Sequence, residues 1–460
     1  MKQFGWLSIA RVGLVQAALG AMVVLTTSTL NRVMVVELAL PAMLPGFLVA
    51  LHYMVQIARP RMGFGSDVGG RRTPWIVGGM AVLATGGVLA SVATAWMGTN
   101  RPAGITLAVF AFVVIGLGVS ASGTSLLVML AKRVDEGKRA AAATMVWMMM
   151  IFGFAVTAGV AGKLLEPYSP ERLVGVTAAV CALALVIALL AVYKLEGPAL
   201  QNPETEKPAS AKLSFSQALG EVWAEPAARR FTIFVFVSML AFSAQDLILE
   251  PFAGTVFAFT PGQSTQLSGV QHGGVLAGMI LVALAGLVGS RWRHKPHLRH
   301  VGSLRGWTVG GCLASAVALA GLSAAGFTGP GWPLLATVFC LGVANGAFSI
   351  GAISSMMRLA GQGRQAREGV RMGMWGAAQA IAFGLGGFLG TVASDVARWL
   401  IGSPGAAYAS VFGLEALLFV VSAVLAWRVG TTPANGAAAS VAPQTGRLPA
   451  TLVFASDTAR

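Results

Sequence analysis

Residues 63–72 read GFGSDVGGRR, and they separate two long apolar stretches of the chain. The glycines allow a tight turn in which two helix ends approach closely. The aspartate suits the positive end of a helix or a basic partner, and the arginines place positive charge on the turn. We therefore predict a short polar turn between two helices. The residues that carry the pattern are Gly63, Asp67, Gly70, Arg71 and Arg72.

The composition of the chain is that of a membrane protein. Of its 460 residues, 56% are apolar and 11% are charged, and the mean hydropathy is +0.74. A soluble chain carries roughly 25% charged residues, so this one has too few to cover a surface that faces water. The net charge of +15 would suggest a nucleic-acid partner in a soluble protein. In a membrane protein it reflects topology, and we expect anionic lipid headgroups, with no nucleic acid, as the counter-charge.

Twelve segments are apolar enough to cross a bilayer, which takes roughly 20 residues per helix. We therefore predict an all-α integral membrane protein with twelve transmembrane helices. The predicted spans are 12–30, 41–58, 75–97, 105–131, 141–163, 172–193, 231–258, 267–289, 306–327, 332–357, 371–393 and 406–427.

Basic residues predict the orientation of these spans. If the N-terminus is cytoplasmic, nearly all of the 32 Lys and Arg residues fall on the inner side. The positive-inside rule therefore favours cytoplasmic N- and C-termini. The few basic residues left on the outer side are Arg32, Arg101, Lys163, Arg172 and Arg398.

A polar interval divides the spans into two sets of six. We predict an N-terminal six-helix bundle at 1–194, a cytoplasmic linker with an interfacial helix at 195–230, and a C-terminal six-helix bundle at 231–428. The Ala-, Thr- and Pro-rich tail at 429–460 can bury little, so we expect it to be disordered and cytoplasmic. Two six-helix halves related about the membrane normal are typical of the major facilitator superfamily. The loop at 63–72 resembles that superfamily's G-x-x-x-D-R-x-G-R-R motif, with Val68 at the sixth position.

Ionisable side chains inside the spans need a reason, because each costs about 2.5–3.5 kcal/mol at mid-helix. Polar groups end the first and seventh spans, which face each other in a facilitator fold, so we predict one cluster with Arg32 beside Asp246. Its role is open between a clamp joining the halves, a pigment or substrate site, and proton coupling. Glu415 in the twelfth span either bonds neighbouring helices or marks a face used by a pigment or partner. The predicted cluster contains Asn31, Arg32, Glu37, Gln245, Asp246 and Glu250.

Two histidines, His52 and His272, lie at membrane depth. A neutral imidazole offers one nitrogen lone pair, which suits an axial position on a metal macrocycle, although such a histidine often bonds a nearby carbonyl instead. A methionine-rich stripe over 145–152, which ends at Phe152, suits either the core of the bundle or a flat ring system. The histidines at 294, 297 and 300 lie among arginines whose field opposes a cation, so we expect no metal site there.

Four stretches together resemble the PucC family of facilitator-fold proteins from phototrophic bacteria. They are NRVMVVEL at 31–38, GSD at 65–67 with GRRTPW at 70–75, QDLILEPF at 245–252 and WGAAQA at 375–380. The resemblance spans roughly residues 8–428. It implies a protein of the inner or intracytoplasmic membrane that binds or delivers bacteriochlorophyll, as cargo, while antenna polypeptides insert. The compact loop at 63–72 resembles the branch sometimes labelled a bacteriochlorophyll synthase chain.

The residues favour a non-enzymatic role over synthesis. A prenyltransferase needs paired aspartates to hold diphosphate through Mg²⁺, and the five aspartates, at 67, 135, 246, 395 and 457, never occur four apart. We therefore expect a light-harvesting assembly factor with His52 or His272 as a pigment ligand. Two alternatives are a proton-coupled transporter of a small solute, using Glu37, Asp246, Glu250 or Glu415, and an accessory subunit of a pigment-synthesis enzyme.

Overall fold

A computed structural model describes residues 4–56, 71–196, 220, 223–291, 303–361 and 368–429. Within these ranges twelve apolar helices occupy the twelve predicted spans. In chain order they are α1 (Trp6–Glu37), α2 (Met43–Val55), α3 (Thr73–Met97), α4 (Arg101–Arg133), α5 (Glu136–Leu164), α6 (Pro170–Val192), α7 (Pro226–Val256), α8 (Pro261–Arg291), α9 (Leu304–Thr328), α10 (Leu334–Gly361), α11 (Glu368–Ile401) and α12 (Pro404–Val429).

Eleven of the described helices are long and apolar enough to cross a membrane, and α2 is a shorter apolar helix of 13 residues. The predicted all-α membrane fold is therefore confirmed. Helix boundaries follow from side-chain caps: the Asn100 side chain accepts a hydrogen bond from the Ala103 N–H at 3.2 Å, and Ser169 and Ser303 cap α6 and α9 in the same way. A positive φ of 73° at Gly402 turns the chain from α11 into α12.

Helix α1 is irregular over its second half. Two π-helical turns, Leu25–Thr29 and Val33–Glu37, flank the short α-helical stretch Leu30–Arg32. In a π-turn the backbone bonds from residue i to i+5, and the Leu38 N–H accordingly donates to the Val33 carbonyl at 3.0 Å. The wider turns change the direction of the side chains that follow, among them the Glu37 side chain.

The two largest hydrophobic clusters of the described residues separate the bundle into two parts. One is built almost entirely from α1–α6 and includes Leu48, Leu83 and Phe112, while the other is built from α7–α12 and includes Phe348 and Trp375. On this basis we propose that the chain forms two six-helix bundles, as predicted. We call α1–α6 the N-half and α7–α12 the C-half. Most of the predicted linker and all but the start of the predicted tail lie outside the described residues.

Glycines allow the two halves to pack closely where the C-terminal end of α5 meets the N-terminal end of α8. A Cβ atom on Gly269 of α8 would lie 2.9 Å from the backbone nitrogen of Gly159 in α5, and one on Gly162 would lie 2.6 Å from the Gly262 carbonyl oxygen. Such contacts are possible only without side chains, as is usual where membrane helices cross closely. The halves also meet where α2 packs against α11. There the Asp395 carboxylate of α11 accepts hydrogen bonds from the backbone N–H groups of Ala42 and Met43, at the start of α2, at 3.0 and 2.7 Å.

Candidate functional site

Arg32 is the centre of the polar cluster. It lies in α1 with its side chain 2% exposed, forms an ion pair with Glu37, and donates from Nη2 to the Phe259 carbonyl oxygen at 2.6 Å. Gly254 of α7 makes room for the guanidinium, because a Cβ atom there would lie 2.9 Å from Nη2. Arg32 therefore ties α1 to the segment between α7 and α8 across the seam, with its charge compensated inside the apolar bundle.

The predicted partner of Arg32 was wrong. Its carboxylate partner is Glu37 of the same helix, whereas Asp246 accepts a hydrogen bond from the Gln271 side chain at 3.2 Å. The physical reason is the π-turn over Val33–Glu37, which brings residues five apart along the chain close to the same side of the helix. Spacing arguments that assume regular α-helix miss this contact.

A proline in α7 explains the role of Asn31. Pro251 has no N–H group, so the Leu247 carbonyl four residues earlier lacks its helical partner. The Asn31 side chain of α1 donates to this carbonyl oxygen at 2.6 Å. Next to it, the hydroxyl groups of Thr29 and Thr265 form a hydrogen bond of 3.0 Å between α1 and α8. The halves are thus joined by a polar seam inside the membrane span.

Two further carboxyl groups of the cluster bond to α8. Glu250 is fully buried and accepts a hydrogen bond from the Ser268 hydroxyl, while Asp246 is bonded to Gln271 as described above. Gln245 is also fully buried, and within the described part of the chain neither amide atom of its side chain has a hydrogen-bond partner. Three of the six predicted cluster residues thus lie on α1 and three on α7, the two helices that meet at the seam.

Glu415 lies deeper in the bundle than a peripheral helix would suggest. The Phe252 ring of α7 contacts Tyr408 and Phe412 of α12, with ring centroids 5.5 and 5.0 Å apart. Glu415, on the same helix, is 2% exposed. Among the described residues neither carboxyl oxygen has a hydrogen-bond partner. A buried carboxyl group in this state is costly, which makes Glu415 a candidate functional group.

The two histidines differ in their hydrogen bonds. His52 of α2 is 2% exposed, and its Nε2 atom lies 2.9 Å from the amide nitrogen of Gln56. His272 of α8 donates from Nδ1 to the Ser268 carbonyl oxygen at 2.8 Å, and its ring meets Phe154 of α5 edge-on at 5.0 Å. His272 therefore lies at the α5–α8 seam, whereas His52 is enclosed in the N-half.

An apolar groove of about 460 Å³ lies between α5 and α8. It is continuous with an exposed face of α5 on which Phe152 and Val156 are each about half exposed, a face suited to lipid chains. Part of the methionine-rich stripe predicted as core or pocket lines this groove, and Trp147 packs instead between α5, α8 and α10. The lining residues are Ala141, Thr144, Met145, Met148, Met149, Phe152 and Leu276.

The loop motif is only partly described. Gly63, Asp67 and Gly70 lie outside the described residues, whereas Arg71 and Arg72 stand just before α3. The Glu196 carboxylate, after α6, accepts hydrogen bonds from the backbone N–H of Arg72 at 2.6 Å and of Thr73 at 2.7 Å. No local sequence pattern predicts this contact, because Glu196 and Thr73 are 123 positions apart in the chain.

Hydrogen bonding sets the charge state of Glu196. Burial raises the pKa of its carboxyl group, but the bonds donated by the Thr73 hydroxyl, the Thr73 N–H and the Arg72 N–H together outweigh burial. The pKa therefore lies below its usual value, and the carboxylate is charged at neutral pH. An ionised carboxylate at the start of α3 also complements the positive end of that helix.

Known proteins similar to this chain agree on family and fold. The model of the PUCC protein family matches residues 29–433. The "Bacteriochlorophyll synthase 44.5 kDa chain" of Rhodobacter capsulatus is 53% identical over 94% of this chain and 97% of the relative. "Protein PucC" of the same organism is 29% identical over 91% of each chain.

Solved structures extend the comparison to the fold alone. The nucleoside transporter NupG gives a TM-score of 0.64 at 13% identity, covering 92% of this chain and 100% of the transporter. A peptide transporter POT in complex with sulfate gives 0.65 at 15% identity, covering 94% and 97%. The twelve helices therefore have the facilitator arrangement of these transporters. Because the family match covers most of its length, the chain belongs to the PUCC protein family.

Proposed function

We propose that the protein is a membrane assembly factor that binds or delivers bacteriochlorophyll during the biogenesis of light-harvesting complexes. The observation that carries this proposal is an apolar, methionine-lined groove at the α5–α8 seam of a PUCC-family chain. The names of its relatives, one a bacteriochlorophyll synthase chain and one PucC, support bacteriochlorophyll as the cargo.

The chemistry of the groove suits a flat apolar ring. Its volume of about 460 Å³ is within the range of pockets that hold large organic ligands. The thioether groups of Met145, Met148 and Met149 are polarizable and adaptable, and sulfur makes favourable contacts with aromatic faces. Since the groove joins the exposed apolar face of α5, a pigment could enter it from the lipid phase without crossing water.

We infer a handling role rather than synthesis. The aspartate pairs that would hold a diphosphate are missing from the sequence, and the seam polar groups bond chiefly to one another. The seam cluster then serves as the clamp between the halves. We also propose that the protein lies in the bacterial inner or intracytoplasmic membrane with both termini in the cytoplasm. Its partners would be membrane lipids, bacteriochlorophyll, and antenna polypeptides or a pigment-synthesis enzyme.

Deletion of the gene tests the proposal, with antenna absorption and total bacteriochlorophyll measured in the same cells. We expect the antenna bands to fall while total pigment synthesis per cell continues. Complementation with Leu276→Trp, which fills the groove, should restore the antenna poorly. Leu183→Trp is a matched control, because Leu183 is 63% exposed on α6, away from the seam. Full antenna levels in the deletion strain would contradict the proposal.

A transporter of a small solute is the second candidate. It is favoured by the transporter fold of the structural relatives and by carboxyl groups that could carry protons, of which Glu250 and Glu415 are buried and Asp246 is partly buried. Proton-coupled uptake of a solute by the protein in liposomes would support it.

An accessory subunit of bacteriochlorophyll synthesis is the third candidate, favoured by the name of the 53% identical relative. It predicts that the protein copurifies with a pigment-synthesis enzyme rather than with antenna polypeptides, and that deletion lowers total bacteriochlorophyll.

A further inference from the structure

We propose that His272, and not His52, is the axial magnesium ligand for bacteriochlorophyll at the α5–α8 seam. This inference rests on the proposed function, and it adds the coordinating atom and the place where the ring is held. It follows from which ring nitrogen of each histidine still has a lone pair to offer.

The hydrogen bond of His272 fixes its tautomer. A backbone carbonyl can only accept, so the contact of 2.8 Å to the Ser268 oxygen places the proton on Nδ1. A neutral imidazole with its proton on Nδ1 has its lone pair on Nε2. Histidines that ligate metals commonly donate their other ring N–H to a carbonyl in this way, which also holds the ring in a fixed orientation.

The same reasoning excludes His52. The amide nitrogen of Gln56 can only donate, so the contact of 2.9 Å makes Nε2 of His52 the acceptor and engages its lone pair. The ring is also enclosed, with 2% of the residue exposed and the Tyr53 ring 4.6 Å away. A macrocycle could reach this nitrogen only by breaking the Gln56 bond and opening the core of the N-half.

His272 lies one helical turn from the apolar groove and is not one of the residues that line it. Leu276, one helical turn later on α8, lines the groove together with Met148 of α5. At Gly273, the next residue, an added Cβ atom would meet no atom within 4 Å, so this part of α8 borders open space. The Phe154 ring stands edge-on to the imidazole at 76°, which limits how the imidazole can turn.

Binding of two pigments to the full-length protein in lipid nanodiscs tests the assignment. Bacteriochlorophyll and its magnesium-free form, bacteriopheophytin, share nearly the same ring, and only the first can accept an axial ligand. We expect His272→Ala to weaken bacteriochlorophyll binding about tenfold or more. It should leave bacteriopheophytin binding unchanged, and added imidazole should restore bacteriochlorophyll binding. His52→Ala should change neither affinity, and thermal unfolding of each variant checks that it is folded.

The outcomes separate this inference from the proposed function. If the native protein binds bacteriochlorophyll and His272→Ala binds it equally well, or weakens both pigments equally, the ligand assignment is overturned and the proposed function stands. If His52→Ala alone weakens bacteriochlorophyll binding, the assignment is reversed. If the native protein binds neither pigment, both proposals fall.

Discussion

The hydrogen bond from Asn31 to the Leu247 carbonyl gives the sharpest test of the seam. Pro251 removes the N–H group that would bond this carbonyl within α7, and the Asn31 amide donates to it from α1 at 2.6 Å. Pro251→Ala should restore the helical bond. Asn31 should then contribute little, so the two residues should be energetically coupled.

The expected loss in the free energy of unfolding follows from the hydrogen-bonding groups that each substitution leaves without a partner. Asn31→Leu in the native chain strands a buried carbonyl, which typically costs about 1–3 kcal/mol. It also removes the Asn31 Oδ1 atom, which has no partner among the described residues, so part of the loss is offset. Bonds between membrane helices average about 0.6 and reach about 1.7 kcal/mol. We expect Asn31→Leu to lower the free energy of unfolding by about 1 kcal/mol, and by less than about 0.3 kcal/mol alongside Pro251→Ala.

Reversible unfolding of the four proteins of this cycle in mixed micelles measures the coupling. Asn345→Leu is the matched control, because Asn345 is buried in α10 and its Oδ1 atom accepts from Ser315 at 2.9 Å, away from α1. Its effect should be the same with and without Pro251→Ala. Equal losses for Asn31→Leu in both backgrounds would refute the reasoning.

Three further predictions concern other contacts, each measured by the free energy of unfolding. Arg32→Met leaves Glu37, whose side chain is 35% exposed, without its cation and should cost about 1–3 kcal/mol, part of which Glu37→Gln in the same chain recovers; no recovery would contradict the ion pair. Gly269→Leu should push α5 and α8 apart at about 1–3 kcal/mol, and an unchanged stability would rule out the close approach. Glu196→Gln should destabilise at pH 7. Because the folded pKa is lowered, the native stabilisation is lost as pH falls through it, so the difference should vanish in acid.

The sequence predicted the fold well because a bilayer leaves few choices. Twelve apolar segments and the distribution of basic charge predicted the twelve helices, and local signals such as Asn100 and Ser169 mark where helices begin. Side-chain pairing was harder to predict. The partner of Arg32 depends on a π-turn, and no residue pattern in Val33–Glu37 announces one.

The Glu196 contact and the apolar groove depend on residues that are far apart in the sequence and meet only in the folded chain. Glu196 reaches Thr73 because α6 returns beside α3, which no local spacing can show. The groove arises because α5 and α8, which are separated in the sequence by α6 and α7, pack side by side, so that Leu276 of α8 lies beside the methionines of α5. One contact does have a sequence signal. Pro251 inside an apolar helix implies a carbonyl at Leu247 without its helical partner, and a donor such as Asn31 on a facing helix can bond it.

The most direct measurement of the central claim is the absorption spectrum of the protein purified from pigmented cells in a mild detergent. The account predicts that the native protein and Leu183→Trp retain bacteriochlorophyll in a fixed ratio to protein, and that Leu276→Trp loses most of it. A folded native protein without bacteriochlorophyll, or equal pigment in all three proteins, would contradict the claim that the α5–α8 groove holds the cargo.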